Sequence, residues 1–195
     1  MKGAILVIIM ALFLVSCGGT EKSDISGSPA NAGGNTMKTA TFETNLGTIE
    51  IELYTEKMPI TTQNFIDLAE KGFYDGTRFH RVIEEFMIQG GDPLSKDTSK
   101  TNRWGTGDPG YKIKDEFDKS LSNAPGTIAM ANAGPNTGGS QFFINLVNNN
   151  FLDNKHPVFG KVTKGMDIVE KIGSVKTGQA DRPAEDVIVE KIIIS

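Results

Sequence analysis

The sequence has few residues of the kinds that usually build redox or metal centres. Cys17 is the only cysteine among 195 residues, so the chain can form no internal disulfide and no cysteine-rich metal centre. The only two histidines, His80 and His156, lie far apart in the sequence and have no paired acidic or thiol residues at ligand spacing. The sequence therefore predicts that the protein holds no metal.

Positive charge is also scarce. The sequence has 20 Lys and Arg residues and 24 Asp and Glu residues, which gives a formal net charge of −4. Proteins that bind nucleic acid usually carry a basic patch or stripe, and no run of like charges is present here. We therefore expect no nucleic-acid partner.

Motifs for nucleotide binding and serine hydrolysis are incomplete. Residues 105–110 fit the pattern G-x-G-x-x-G, but they follow a polar segment, and Pro109 disrupts the helix start that a dinucleotide site needs. Residues 134–139 have the glycine spacing of a phosphate loop, but Ser140 replaces the required lysine. No G-x-S-x-G elbow occurs. These segments are better interpreted as loops.

The longest apolar run lies near the start of the chain and is too short to span a bilayer. Lys2 precedes an unbroken apolar stretch over residues 4–15, whereas a spanning helix needs about 20 residues. The stretch has the size of a signal-peptide core, and the ending Leu-Val-Ser-Cys resembles a bacterial lipobox. We predict that residues 1–16 are a lipoprotein signal peptide and that Cys17 is lipidated. An ordinary cleaved signal or an uncleaved anchor helix are the alternatives.

A polar segment follows the cysteine. Residues 18–36 are rich in Gly, Ser, Asn and Thr, with Ile25 as the one strongly apolar residue. Such a segment cannot bury enough surface to order itself, so we predict a flexible tether over residues 17–36, including the lipidated cysteine. Two acyl chains suffice for stable anchoring. The expected location is extracytoplasmic, on a bacterial membrane, with a globular domain over residues 37–195.

The pattern of that domain is typical of a mainly β fold. Residues 46–53 alternate cleanly, with Ile49, Ile51 and Leu53 on one side and polar residues on the other. Helices are predicted from Pro59 to about Lys71 and from Met166 to Ile172. Further strands are predicted over residues 39–42, 78–83, 86–89, 127–131, 141–145, 158–162 and 187–194. With 22 glycines clustered at turns, this pattern favours an antiparallel barrel capped by helices.

Two segments carry a family resemblance. Residues 79–92 read Phe-His-Arg-Val-Ile-Glu-Glu-Phe-Met-Ile-Gln-Gly-Gly-Asp, and residues 131–144 read Ala-Asn-Ala-Gly-Pro-Asn-Thr-Gly-Gly-Ser-Gln-Phe-Phe-Ile. Both resemble signatures of the cyclophilin-type peptidyl-prolyl cis–trans isomerases. The resemblance extends from about Thr39 to Ile194. It implies a closed eight-stranded antiparallel β-barrel capped by two α-helices, with no cofactor.

The resemblance also implies a set of site residues. Arg81 would donate a hydrogen bond to the proline nitrogen when the X–Pro bond is twisted, and Gln89 would orient Arg81. Substrate-binding positions implied in the same way are Phe86, Met87, Ala131, Asn132, Ala133, Gln141, Phe143, Phe151, Leu152 and His156. From the residues alone, a surface arginine in a solvated ion pair is the more usual interpretation of Arg81, and plain core is the more usual interpretation of the apolar residues.

The resemblance implies an isomerase that acts on proline-containing unfolded or flexible polypeptides and assists protein folding. We expect a monomer. Phe151 lies where many cyclophilins have tryptophan, so the site lacks an indole N–H donor and cyclosporin binding is doubtful. The sole tryptophan, Trp104, lies in a glycine-rich loop and cannot substitute for it. A proline-binding module with little turnover and an adhesin-like surface protein are the rival interpretations.

Overall fold

The structure is a computed structural model that describes residues 37–195. The predicted signal peptide, residues 1–16, and the predicted lipidated tether, residues 17–36, lie outside the described residues. Within residues 37–195, no helix has the length and apolar character needed to cross a membrane.

Within the described part of the chain, nine strands form one antiparallel sheet. In chain order they are β1 (Lys38–Thr44), β2 (Gly47–Leu53), β3 (Thr77–Arg78), β4 (Arg81–Ile83), β5 (Met87–Gly90), β6 (Thr127–Met130), β7 (Phe142–Asn145), β8 (Val158–Lys164) and β9 (Ile188–Ile194). Their order in the sheet is β3-β9-β1-β2-β8-β6-β7-β5-β4. The prediction of a mainly β fold is therefore confirmed. Seven of the eight predicted strands begin and end within two residues of an observed strand, and the eighth, over residues 78–83, corresponds to both β3 and β4.

The strand count differs from the expected eight because one predicted strand is interrupted. β3 and β4 both lie within the predicted strand 78–83, apart from Thr77, and are separated only by Phe79 and His80. β3 pairs with β9 at one end of the sheet, while β4 pairs with β5 at the other end. Since the two ends are neighbours in the chain, the sheet must curl round on itself.

In residues 37–195, two α-helices pack on the sheet, as predicted. α1 spans Pro59–Glu70, with a proline in its first turn, and Gly72 follows it in the left-handed region at φ 65°. α2 spans Met166–Gly173. Its N-cap, Gly165, has φ 80°, and a Cβ there would collide with the Thr48 carbonyl oxygen, so only glycine fits. Both helices bury apolar residues in the core of the barrel.

The strands use their two faces differently. On β7, Phe142 and Ile144 belong to the main core, whereas Phe143 belongs to a smaller apolar cluster with Met87, Ala129 and Val158. This division follows from the two-residue period of a strand, which sends successive side chains to opposite faces. The smaller cluster lies on the face opposite the barrel core and carries the candidate site.

Candidate active site

The strand register aligns the site residues in one row across the sheet. Arg81 pairs with Gln89, Gln89 pairs with Phe143, and Phe143 pairs with Ala129. Directly opposed residues on antiparallel strands point to the same face, so a cation, an amide and an aromatic ring lie side by side. The sequence placed these residues in separate segments, and the sheet brings them together.

A chain of amide groups fixes the orientation of Gln89. Gln141 Nε2 donates to the backbone carbonyls of Gly105, at 3.0 Å, and Gly107, at 2.8 Å. Because its amino group is used in this way, Gln141 offers its Oε1, which accepts from Gln89 Nε2 at 3.0 Å. The side-chain carbonyl of Gln89 therefore faces Arg81, and its Oε1 lies 3.5 Å from Arg81 Nη1.

The Arg81 guanidinium is held along one edge and is half exposed. Its Nε lies 3.3 Å from Asp181 Oδ2, and 42% of its side-chain surface is accessible. Among residues 37–195, Nη2 donates to no acceptor. The group therefore keeps N–H donors available to a molecule bound beside it.

The apolar part of the site adjoins this cation. Met87 and Phe143 are almost fully buried, and partly buried side chains pack around them: Ile83, Phe86, Ala131 and Leu152. The ring of Phe86 stacks on that of Phe151 with centroids 6.0 Å apart and an angle of 15° between the planes. Phe151 is 63% exposed, so it forms the outer wall of the cluster rather than part of the core.

His156 packs against Phe143, and Asn132 lies in the segment next to the His156 loop. The His156 ring meets that of Phe143 edge-on at 5.4 Å, and its Nδ1 lies 3.1 Å from the Met130 carbonyl oxygen. A carbonyl can only accept, so Nδ1 carries a proton. Asn132 Nδ2 donates to the Lys155 carbonyl at 2.7 Å, which ties the segment after β6 to the loop that carries His156. Ala133 continues that segment.

Hollows extend the site in two directions. One, of about 350 Å³, is lined by Gln89, Gly105, Ala131, Ala133 and Gln141, among others. Another, of about 630 Å³, is lined by residues that include Phe117, Asn132, Pro135 and His156. Gln89 and Gln141 line the first hollow, and His156 lines the second. We refer to the surface that carries the row from Arg81 to Ala129, together with these two hollows, as the groove.

A buried pair of ionisable residues supports the loop at the Arg81 end. Asp92 is fully buried; its Oδ1 accepts from the Leu94 N–H at 2.7 Å, and its Oδ2 accepts from the Gly105 N–H. His80 is also buried, and within residues 37–195 neither ring nitrogen makes a hydrogen bond of good geometry. Asp92 therefore fixes the loop at Gly105 and Gly107, whose carbonyls accept hydrogen bonds from Gln141.

The His80 ring is expected to make stability depend on pH. Burial lowers the pKa of His80 from 6.5; Arg81 and Arg182 add to this, while Asp92 and the Arg78 carbonyl oppose it. In the unfolded chain the His80 ring takes up a proton at a higher pH than it does in the folded chain. The neutral buried ring therefore stabilises the fold above the unfolded pKa, and this stabilisation is lost as the pH falls through the folded pKa. Over the pH range below the unfolded pKa of His80, the free energy of unfolding should fall more steeply with decreasing pH for the wild type than for His80→Gln. Urea titrations across that range measure it, and parallel curves would contradict it.

Some residues of the site were not expected from the sequence. Asp181 lies 100 residues after Arg81 and has no motif around it. The Gly105 and Gly107 carbonyls were assigned only to a loop. No local pattern indicates either contact, because each depends on how two distant loops pass over the sheet. Of the predicted positions, the hollows are lined by Gln89, Ala131, Asn132, Ala133, Gln141 and His156, and the smaller apolar cluster includes Phe86, Met87, Phe143 and Leu152. Cys17 lies outside the described residues.

Known proteins show the same fold and similar sequences. The family profile for cyclophilin type peptidyl-prolyl cis-trans isomerase/CLD matches residues 39–194. A peptidyl-prolyl cis-trans isomerase-like 1 from Neurospora crassa is 49% identical over 150 residues, which is 76% of this chain and 89% of that protein. The mouse protein of the same name is 46% identical over 151 residues, covering 77% of this chain and 88% of that protein.

Solved structures agree with this. The crystal structure of a Cryptosporidium parvum cyclophilin type isomerase superposes with a TM-score of 0.75 at 30% identity, covering 82% of this chain and 98% of that one. A second structure of that protein, in the presence of the dipeptide Ala-Pro, gives a TM-score of 0.74 at 31% identity and covers 80% and 98%. With its nine-stranded curled sheet, two helices and these relatives, the chain belongs to the family of cyclophilin-type peptidyl-prolyl cis-trans isomerases.

Proposed function

We propose that the groove binds an X–Pro segment of a polypeptide and that Arg81 accelerates rotation about its imide bond. The observation that carries this is the row in which Arg81, held by Gln89 and Asp181, lies beside the apolar cluster around Phe143. One site therefore offers both a surface for a proline ring and a permanent cation within reach of it.

The chemistry needs no covalent intermediate. Rotation about an X–Pro bond is slow because it breaks amide resonance, with a barrier of about 18–20 kcal/mol. In the twisted state the proline nitrogen becomes pyramidal and regains its lone pair, so a donor aimed at it binds that state more strongly than the planar one. The unoccupied N–H groups of Arg81 supply such a donor, and Gln89 limits the orientations that the guanidinium can adopt.

The remaining residues hold the substrate. Met87, Phe143 and Leu152 receive the proline ring, with Phe86 and Phe151 as the outer wall. The backbone N–H of Asn132 donates to no other described residue, so a substrate carbonyl can pair with it in the manner of an added strand. Backbone pairing of this kind accepts many sequences, which suits unfolded or flexible polypeptides and a role in assisting folding.

Exchange spectroscopy on a short Ala-Pro peptide tests this proposal. The full-length chain in a mild detergent should increase the cis–trans exchange rate of the peptide in proportion to the concentration of protein. Binding that shifts peptide resonances without faster exchange would instead support a proline-binding module.

We further propose that the protein acts outside the cytoplasm, attached to a bacterial membrane by lipid at Cys17. The support comes from the sequence: Lys2, the apolar run over residues 4–15 and the ending Leu-Val-Ser-Cys, followed by the polar segment 18–36. Two acyl chains give stable attachment, and the tether would keep the domain, as a monomer, clear of the lipid headgroups.

Replacement of Cys17 by serine is expected to abolish lipidation. A hydroxyl lacks the nucleophilic thiolate on which lipid attachment depends, so the variant should lose incorporated label. Metabolic labelling of bacteria that express the full chain with radioactive palmitate measures this. Ser26→Ala, which changes the tether and leaves the cysteine intact, is the control and should keep the label. Equal labelling of Cys17→Ser would refute the anchor.

A further inference from the structure

The carboxylate of Asp181 is the one acidic group that pairs with Arg81 among the described residues. Its Oδ2 lies 3.3 Å from Arg81 Nε, and the two side chains are 48% and 42% exposed. The other contact of the guanidinium, from Nη1 to Gln89 Oε1, is 3.5 Å long, at the limit of a hydrogen bond. Gln89 alone therefore holds a long, flexible side chain weakly, and a second point of attachment is needed to fix the plane of the guanidinium.

The backbone that presents Asp181 adopts an uncommon conformation. Ala180, at φ 60° and ψ 33°, and Asp181, at φ 56°, are both in the left-handed region. Aspartate tolerates this region, whereas alanine does so only at a cost in strain. Two consecutive non-glycine residues in this region require the surrounding structure to impose it, and such strain is concentrated at functional sites.

The next residue supplies that restraint. The Arg182 guanidinium lies over the Trp104 ring at 4.8 Å, and its Nη2 donates to the Thr101 carbonyl. The Arg182 carbonyl accepts from the Gly178 N–H at 2.8 Å, which closes the loop at its base. Because Arg182 is fixed on Trp104, the strained residue before it is fixed as well, and its carboxylate is directed to Arg81.

We propose that Asp181 is a positioning residue for Arg81. Its carboxylate holds Nε, so that the Nη groups on the other edge of the guanidinium keep the orientation in which they donate to the twisted imide. This inference rests on the proposed role of Arg81. It also assigns a role to Trp104 and Arg182, which lie outside the groove and act on it only through the loop.

Two substitutions separate the charge from the side chain. Asp181→Asn keeps the shape and tolerance of the left-handed region but removes the charge, and Asp181→Gly removes the side chain without backbone strain. Exposed ion pairs contribute little, so we expect kcat/KM for Ala-Pro peptide exchange to fall about two- to fivefold in Asp181→Asn and further in Asp181→Gly. The loss should lie in kcat, with KM unchanged. Glu50→Gln removes the carboxylate of the surface pair with Lys164 and should leave the rate unchanged.

A double-mutant cycle and a spectroscopic signature show whether Asp181 acts through Arg81. In an Arg81→Ala background, Asp181→Asn should leave the residual rate unaltered. In the full-length protein with intact Arg81, the ¹⁵N resonance of its Nε–H should shift in Asp181→Asn and its exchange with water should quicken. An unaltered Nε signal, or the same fold loss in both backgrounds, would overturn the inference. A fully active Arg81→Ala variant would instead refute the proposed function itself.

Discussion

Replacing Arg81 with alanine is expected to lower kcat/KM for Ala-Pro peptide exchange by about 100- to 1,000-fold, the usual effect of removing one donor aimed at a transition state. The reason is the placement of the guanidinium. Arg81 lies opposite Gln89, and Gln89 lies opposite Phe143 of the apolar cluster, so a proline bound on that cluster would exclude water near the guanidinium and strengthen the hydrogen bond. Line-shape or exchange spectroscopy at several protein concentrations measures the change.

Two further variants identify what Arg81 contributes. Arg81→Lys keeps a positive charge but loses the planar fork, so its rate should lie between those of the wild type and the alanine variant. Arg103 is another arginine, exposed at the end of a 3₁₀ segment, and Arg103→Ala should retain the full rate. Stability should change little in Arg81→Ala, since the side chain is half exposed and its two polar contacts are long. A full rate in Arg81→Ala would require another residue to stabilise the twisted imide.

The local parts of the fold could be predicted because they depend on short-range periodicity. The alternation over residues 46–53 predicts β2, and the proline at position 59 with the glycine at position 72 predicts the ends of α1. These signals come from side chains that must face the core and from residues that backbone geometry restricts. The structure confirms both.

The break between β3 and β4 could not be predicted in the same way. Residues 78–83 have the composition of one strand, yet Phe79 is directed into the aromatic core and the chain leaves one end of the sheet to join the other. That change follows from the curling of the sheet, whose two end strands are neighbours in the chain, and the curling is a property of all the strands together. A pattern in six residues carries no information about it.

The groove shows a similar division. The pairing of Arg81 with Gln89 follows from a hairpin, so the sequence can indicate it. The contact of Arg81 with Asp181 and the bonds from Gln141 to the glycine carbonyls join segments that are distant in the chain. Their geometry depends on loop conformations that Trp104 and Asp92 fix through tertiary contacts. The sequence therefore indicated Gln89 as a partner of Arg81 but gave no sign of Asp181 or of the glycine carbonyls that hold Gln141.

The two adjacent phenylalanines of β7 are expected to separate stability from function. Phe142 is fully buried, and its ring lies 5.5 Å from that of Phe42, 5.8 Å from Phe65 and 5.7 Å from Tyr74, all in edge-to-face contact. Phe142→Ala removes the centre of this cluster and leaves a cavity, so it should lower the free energy of unfolding by about 3–5 kcal/mol. Urea denaturation measures the loss.

Phe143→Ala is the matched variant, one residue along the same strand and on the opposite face. Its ring packs against the smaller cluster and against His156, beside the groove, so less of the surrounding packing is lost with it. We expect a smaller loss of stability than in Phe142→Ala but a raised KM for the peptide, because the surface for the proline ring is removed. Phe142→Ala, measured at a temperature where it remains folded, should keep the wild-type KM. Equal destabilisation by the two variants with no change in KM would show that Phe143 belongs to the core alone and that the proline ring binds elsewhere.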